Sequence, residues 1–247
     1  MRIITIVSAL LCLLFCACAP QEQEQSSGQA YYQVVTEAPT ETEDPTPDGT
    51  EAYVKTAREE TFETGDGDPV TYSIPRLTAD SSDAKAVNSA IEKEYAKDFE
   101  TAAKENGQNK ALSVSELGYE CFINDEVLSI VVTRTTSGHN VSYSVYNYDI
   151  EKNKRLDNSG IAAYMDRDES AVYAAVETAL QSDYVSKFKF DNFKDDYYIN
   201  YENTLSDDNI KNCSLFFDGS GSLCAICKEF ASVGAGEFNV KIKVVVE

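Results

Sequence analysis

The chain of 247 residues has no tryptophan, two methionines and a single histidine, His139. One histidine and scattered cysteines leave nothing from which to close a tetrahedral zinc site. A Ser-His-Asp site would hang on His139 alone, oriented by Asp149 or another carboxylate, and no Gly-x-Ser-x-Gly elbow is present. Positive charge is scarce as well: 21 Lys and Arg stand against 42 Asp and Glu, a net charge of −21. Nucleic acid is thereby excluded as a partner, because phosphate binding needs basic patches. Charge alone would not hold the protein to an anionic membrane or wall, whereas a basic partner would be steered toward it. Beyond residue 20 no run of eighteen apolar residues occurs, so no later segment is expected to cross a bilayer.

Three of the seven cysteines crowd into "LCLLFCACAP", residues 11–20. Arg2 precedes this apolar run, which ends near Ala17, the layout of a secretory signal peptide. Small residues are required where a signal peptidase closes on the chain, and Cys18 alone of the three follows alanine. Phe15-Cys16-Ala17-Cys18 resembles the bacterial lipobox, with Phe15 where leucine is preferred. The expected mature protein therefore starts at a lipid-bearing Cys18 and sits on the outer face of the cytoplasmic membrane, residues 1–17 having been removed.

Residues 19–50 hold seven carboxylates, four prolines and no Lys or Arg. Such a segment cannot bury enough apolar surface to offset its ordering entropy, so 18–50 reads as the lipidated cysteine and a disordered acidic stalk. Residues 51–247 read as one globular domain. In it "PVTYSIPRL" is a predicted strand ending at Pro75. "SSDAKAVNSAIEKEYAKDFETAAKEN" is a predicted helix with Val87, Ile91, Tyr95 and Phe99 inward, Asp83 or Ser82 as N-cap and Gly107 as its stop. "LGYECFIN" and "EVLSIVVTRTT", split by Asn124-Asp125, and "VSYSVYNYDI", after Ser137-Gly138-His139-Asn140, alternate as an antiparallel meander. Residues 168–182 return to helical spacing through Val172 and Val176. "KFKFDNFKDDYYINYENTLSDDN" reads as an irregular, strand-containing connection, and "CSLFFDGSGSLCAICKEF" and "EFNVKIKVVVE" as closing strands. The expected fold class is α+β: antiparallel sheet with two main helices packed on it, behind a disordered stalk.

The remaining chemistry points to structure more than to catalysis. "CAIC" at 224–227 has redox spacing but strand-like flanks, without the helix N-terminus that lowers a thiol pKa. A two-residue turn at Asp218-Gly219 would place Cys213 opposite Cys224 and make them a candidate disulfide; the alternative is that Cys121, Cys213, Cys224 and Cys227 are all small buried hydrophobes. The acidic clusters Asp66-Gly67-Asp68, Asp166-Arg167-Asp168-Glu169 and Asp207-Asp208-Asn209 match no EF-hand loop. No metal or cofactor is assigned.

From about Tyr72 to Val246 the sequence resembles the extracellular domain of the anti-sigma factor RsiV, the family of paired domains of unknown function 4163 and 3298. The resemblance is carried by "AVNSAIEKEY", "NDEVLSIVV", "SGHNVSYSVYNYDIEKNKRL" and "LFFDGSGSLCAICKEFASVGAGEFNVKI". Where the family turn usually reads Gly-Gly-Ala-His-Gly, this chain keeps His139 and loses glycines; where the family has Tyr-Glu-Ile-Ala-Pro-x-Ala-x-Gly, it has Glu229 to Gly236 without the proline. The resemblance implies an extracellular α+β module without an established catalytic role, lysozyme being the ligand recognised by RsiV itself. The cytoplasmic sigma-binding segment and membrane helix of an anti-sigma factor have no counterpart here. The expected function is thus a non-catalytic, cell-surface module that binds a protein, lysozyme-like or otherwise basic, or a wall polymer. Gly138, His139, Asn140, Glu229, Phe230, Gly234 and Gly236 are the candidate contacts. The rival class is an envelope hydrolase acting on wall glycan through carboxylates.

Overall fold

The computed structural model of the protein describes residues 49–63, 69–188, 194–231 and 236–246. The signal peptide and the stalk as far as Asp48, with Cys18, lie outside the described residues, as do Asp66-Gly67-Asp68 and Gly234; Thr50, read as the last stalk residue, is instead buried in a short 3-10 turn that opens the domain. Six strands form the first sheet in chain order: β1 (Val54–Glu63), β2 (Pro69–Leu77), β3 (Val114–Asn124), β4 (Val127–Thr136), β5 (Val141–Asp149) and β6 (Lys154–Leu156). Neighbours pair antiparallel except β2 and β3, which meet in parallel at Tyr72 and Leu117. Parallel neighbours need a long crossover, and here it contains α1 (Ser82–Gly107). Three further strands, β7 (Ser214–Phe217), β8 (Leu223–Phe230) and β9 (Glu237–Lys243), make an antiparallel second sheet.

Strand periodicity determines how these pieces stack. Along β4, Leu128, Ile130 and Val132 point to one face and meet Val87, Ile91, Tyr95 and Phe99 of α1 in one core. Val131, on the opposite face, joins Phe216, Cys224 and Ile226 of the second sheet, with Phe122, Tyr143 and Val145 packed alongside. The second sheet turns its far face, with Leu215, Phe217, Ala225, Cys227 and Ile242, to Val172, Val176 and Leu180 of α3 (Glu169–Lys187), and α2 (Asn158–Tyr164) lies in the same core through Ile161 and Ala162. The order of layers is helix, sheet, sheet, helix. β4 reads as a continuous apolar run, "VLSIVV", because it is buried on both faces.

Among the described residues the α+β class and the antiparallel sheets are as expected, and several details differ. β2 continues through Pro75 to Leu77; the missing N–H is accommodated where β1, an edge strand, shifts register between Thr56 and Arg58 opposite Pro75. β1 itself, rich in charge, was not among the predicted strands. The β3–β4 turn is Asp125-Glu126, since Asn124 pairs with Val127, and Asp125 takes φ 50°. The connection read as strand-containing carries α4 (Lys194–Thr204) and α5 (Asp207–Lys211). The helix α1 is capped by Ser81, whose hydroxyl accepts from Ala84 N at 3.0 Å, in place of Ser82 or Asp83. The same hydroxyl meets Tyr148 Oη at 2.7 Å, tying the helix start to β5. Ser81→Ala is expected to cost about 1–2 kcal/mol in urea denaturation, a cap plus a buried-edge hydrogen bond; Ser82→Ala should change stability by less than about 0.5 kcal/mol.

Candidate functional site

Two hairpin ends meet at one end of the stacked sheets. In the β4–β5 turn, Thr136 and Asn140 close the ladder, Asn140 O accepting from Thr136 N at 3.0 Å while His139 N donates to Thr136 O at 2.8 Å. His139 sits at φ 61°, left-handed backbone that asparagine or glycine would hold more easily. Ser137 N donates to Ser113 O at 3.0 Å and anchors the turn to the residue just ahead of β3. Gly138, His139 and Asn140 are exposed. The β8–β9 hairpin closes through Ala231 N to Gly236 O at 2.9 Å, with Gly236 at φ 82°. Asn239 of β9 donates through Nδ2 to Val141 O at 2.9 Å, the first residue of β5. The two candidate stretches, nearly a hundred residues apart in the chain, are therefore neighbours in space.

The hairpin rests on the helical layer. β8 outruns β7, and the backbone groups it leaves uncovered are taken by side chains: Phe230 N donates to Thr204 Oγ1 at 3.0 Å, Phe230 O accepts from Tyr184 Oη at 3.2 Å, and Asn209 clamps Lys228 N and O at 3.2 and 2.9 Å. Glu229 points the other way, into the protein. It is 1% exposed, its Oε2 lies 3.1 Å from Lys187 Nζ, and its Oε1 has no hydrogen-bond partner. Lys187 is shared with Asp183 at 2.5 Å. Burial pushes the Glu229 carboxyl up to about 7, opposed by Lys187 and reinforced by Asp183. Lys187 loses some basicity to burial, but the hydrogen bond to Asp183 and the Glu229 charge more than restore it, so its pKa is raised.

The expectation that Glu229 contacts a ligand is corrected accordingly: it belongs to the buried frame beneath the hairpin. Phe230 is half-buried, and Gly236 is exposed beside Glu237, which pairs with Lys228 at 2.7 Å on the rim. Asp183, Lys187, Thr204, Asn209 and Asn239 carry no motif, and they were not legible as parts of this end. The i,i+4 pair Asp183–Lys187 is a helix-surface pattern that occurs anywhere.

His139 and Asp149 occupy opposite ends of β5, about 30 Å apart at strand rise. They cannot orient one another. Asp149 is buried and accepts from Lys152 N and Nζ at 2.7 and 2.8 Å. Burial works against its charged form, yet those hydrogen bonds hold its pKa below the usual carboxylate value. The Cys213–Cys224 pairing is also corrected. The β7–β8 turn spans Asp218–Ser222, closed by Gly221 N and Ser222 N on Asp218, so Phe216 and not Cys213 lies opposite Cys224. "CAIC" lies within β8, and its two thiols face opposite sides of the sheet: Cys224 toward the first sheet and Cys227 toward α3. The cluster Asp166–Glu169 leads into α3, and Asp207-Asp208 form the first turn of α5. Among the described residues no group of three His, Cys, Asp or Glu side chains is placed to hold a metal ion, and no helix is long and apolar enough to cross a membrane.

The class these observations define is an α+β domain of two stacked sheets between helices, with the exposed Gly138-His139-Asn140 turn and the exposed Gly236 at the same end. No family model matches the sequence, and no curated protein matches it. Among solved structures, a crystal structure of a member of the DUF3298 family from Bacteroides fragilis aligns with 77% of this chain and 89% of its own, at 14% identity and a TM-score of 0.36.

Proposed function

We propose that the protein is an exported lipoprotein, anchored through Cys18, whose domain binds a protein or wall polymer without catalysis at the paired hairpin ends. The observation that carries this reading is the Asn239–Val141 hydrogen bond, which sets the exposed Gly138-His139-Asn140 turn beside the Gly236 hairpin. Binding residues concentrate on loops held by a rigid scaffold, and both of these loops are held by sheet. The net charge of −21 favours a basic ligand, and the resemblance to RsiV makes lysozyme the first to try. The finer kinship, an RsiV-like pairing of the two domains of unknown function, belongs to the same proposal.

Isothermal titration against a basic lysozyme, and pelleting with purified peptidoglycan, test it. Binding of one of them should persist near 0.5 M salt, where the Debye length shrinks to roughly 4 Å, and should weaken at least tenfold in His139→Asn, which removes the imidazole while tolerating the left-handed backbone. Binding of equal strength in both proteins, or binding lost in salt, overturns the assignment of the site. Cys18→Ser should leave an unprocessed precursor or release the protein from the membrane, as read by fractionation; acylation that survives in Cys18→Ser and fails in Cys16→Ser would move the anchor to Cys16.

The hydrolase reading has its best candidate in Glu229, since a carboxyl that holds its proton near neutrality suits a general acid. Its burial beneath Lys187 keeps it from any glycan. Release of reducing sugar from wall glycan that disappears in Glu229→Gln would restore that reading.

A further inference from the structure

We propose that Cys213 and Cys227 are joined by a disulfide in the exported protein. The register of the second sheet pairs Ser214 with Ile226, so one step outward Cys213 stands directly across from Cys227. The backbone of Cys213 bonds elsewhere, its N–H to Ile210 O and its carbonyl to Asn158 Nδ2, and Cys227 pairs onward with Val240 of β9. The pair is therefore a non-hydrogen-bonded one, where Cα atoms approach to roughly 4.5 Å and side chains lie closest, inside the range a disulfide spans. Both thiols are buried in the same core beneath α3, and they interact with each other. Cys224 faces the opposite side of β8, and Cys121 lies in the core under α1, so neither competes.

The chemistry needs an oxidant, and the inference rests on the export reading to supply one: the disulfide of an extracytoplasmic thiol oxidoreductase. One cysteine thiolate attacks that disulfide, forming a mixed disulfide and releasing the first oxidant sulfur as a thiol. The second cysteine then attacks the mixed disulfide, closing the Cys213–Cys227 bond and releasing the oxidant as a dithiol, which carries away the two electrons and two protons. In the folded dithiol the Cys227 thiol is pushed far up, by its hydrogen bond with Cys213, by burial and by the charges of Glu229 and Asp183. Attack by a buried thiol held protonated is slow, so the bond should close during folding, before α3 covers the pair.

The test is to refold the reduced mature chain in oxidised and reduced glutathione, alkylate free thiols, and map linked peptides by mass spectrometry, in parallel with protein alkylated directly in cells. A Cys213–Cys227 link is expected in both, untouched by Cys224→Ala. The linked protein should melt roughly 5–10 °C above its reduced form, as closure of a short loop predicts, and this difference should vanish in Cys213→Ala/Cys227→Val. Full alkylation of both cysteines after oxidative refolding, or a link through Cys224, overturns the bond. A link that forms in vitro while both thiols are alkylated in cells overturns the export reading, and the bond's existence in the cell with it, and leaves the geometry standing.

Discussion

Asn147→Ala is expected to destabilise the domain by about 3–5 kcal/mol in urea denaturation, a large part of the roughly 5–15 kcal/mol that holds a domain of this size. Strand β7 is an edge strand whose outward backbone groups face the first sheet, and side chains satisfy them. Asn147 Nδ2 donates to Leu215 O at 2.7 Å, Ser129 Oγ accepts from Phe217 N at 3.1 Å and donates to Asn147 Oδ1 at 2.8 Å, and Asn158 accepts from Leu215 N at 3.1 Å. Ser129 and Asn147 are 0% and 5% exposed, so water cannot replace a lost partner. Removing the Asn147 amide leaves the Leu215 carbonyl without its donor and the Ser129 O–H without its acceptor, at about 1–3 kcal/mol each, and adds a small cavity. Because Ser129 and Asn147 act on the same strand, a double-mutant cycle with Ser129→Ala should show a coupling of about 0.5–3 kcal/mol. A loss below about 1 kcal/mol for Asn147→Ala would mean that the edge of β7 is wetter than this arrangement allows.

Glu229→Gln is expected to stabilise the protein above pH 7 and to have little effect near pH 4.5. Burial raises this carboxyl from its usual 4.5 to about 7, with Asp183 adding to the rise and Lys187 opposing it. Between those two values the folded state binds a proton that the unfolded state has released, so stability falls as pH rises through the window and levels off above it. The full swing is about 3–4 kcal/mol, since each tenfold difference in proton affinity between the folded and unfolded states is worth about 1.4 kcal/mol. Lys187, with its pKa raised, adds a contribution that is lost only at alkaline pH, outside the window. Glutamine has no proton to lose and can donate toward Asp183 where Glu229 cannot once ionised. Thermal melts from pH 4.5 to 8.5 should therefore show a slope in the wild type that flattens in the variant. An unchanged slope would place the titrating group elsewhere.

The helix α1 and the strands β3 to β5 follow from period and length, because each has one face, or both, lined with apolar side chains at regular spacing: Val87, Ile91, Tyr95 and Phe99 on the helix, and the run from Val127 to Val132 on the strand. β1 escaped because an edge strand rich in Lys, Arg and Glu buries only Val54 and Phe62. The helix α4 escaped because its apolar residues show no helical stripe; it is held by tertiary contacts such as Thr204 on the backbone of β8.

The candidate site divides the same way. The turn at Gly138 to Asn140 was legible, since glycine and asparagine between alternating strands mark a chain reversal. Acidic charge, the α+β class and the existence of the two hairpins all depend on composition and on neighbours within a few residues, and the amino-acid order was enough for them. Long-range packing settled the rest. It set the five-residue turn that moved Cys224 opposite Phe216 and left Cys213 facing Cys227, it turned Glu229 inward to Lys187, and it brought Asn239 to Val141. A single added turn residue reverses which face every later side chain occupies, and a hydrogen bond between residues 98 positions apart leaves no trace in local periodicity.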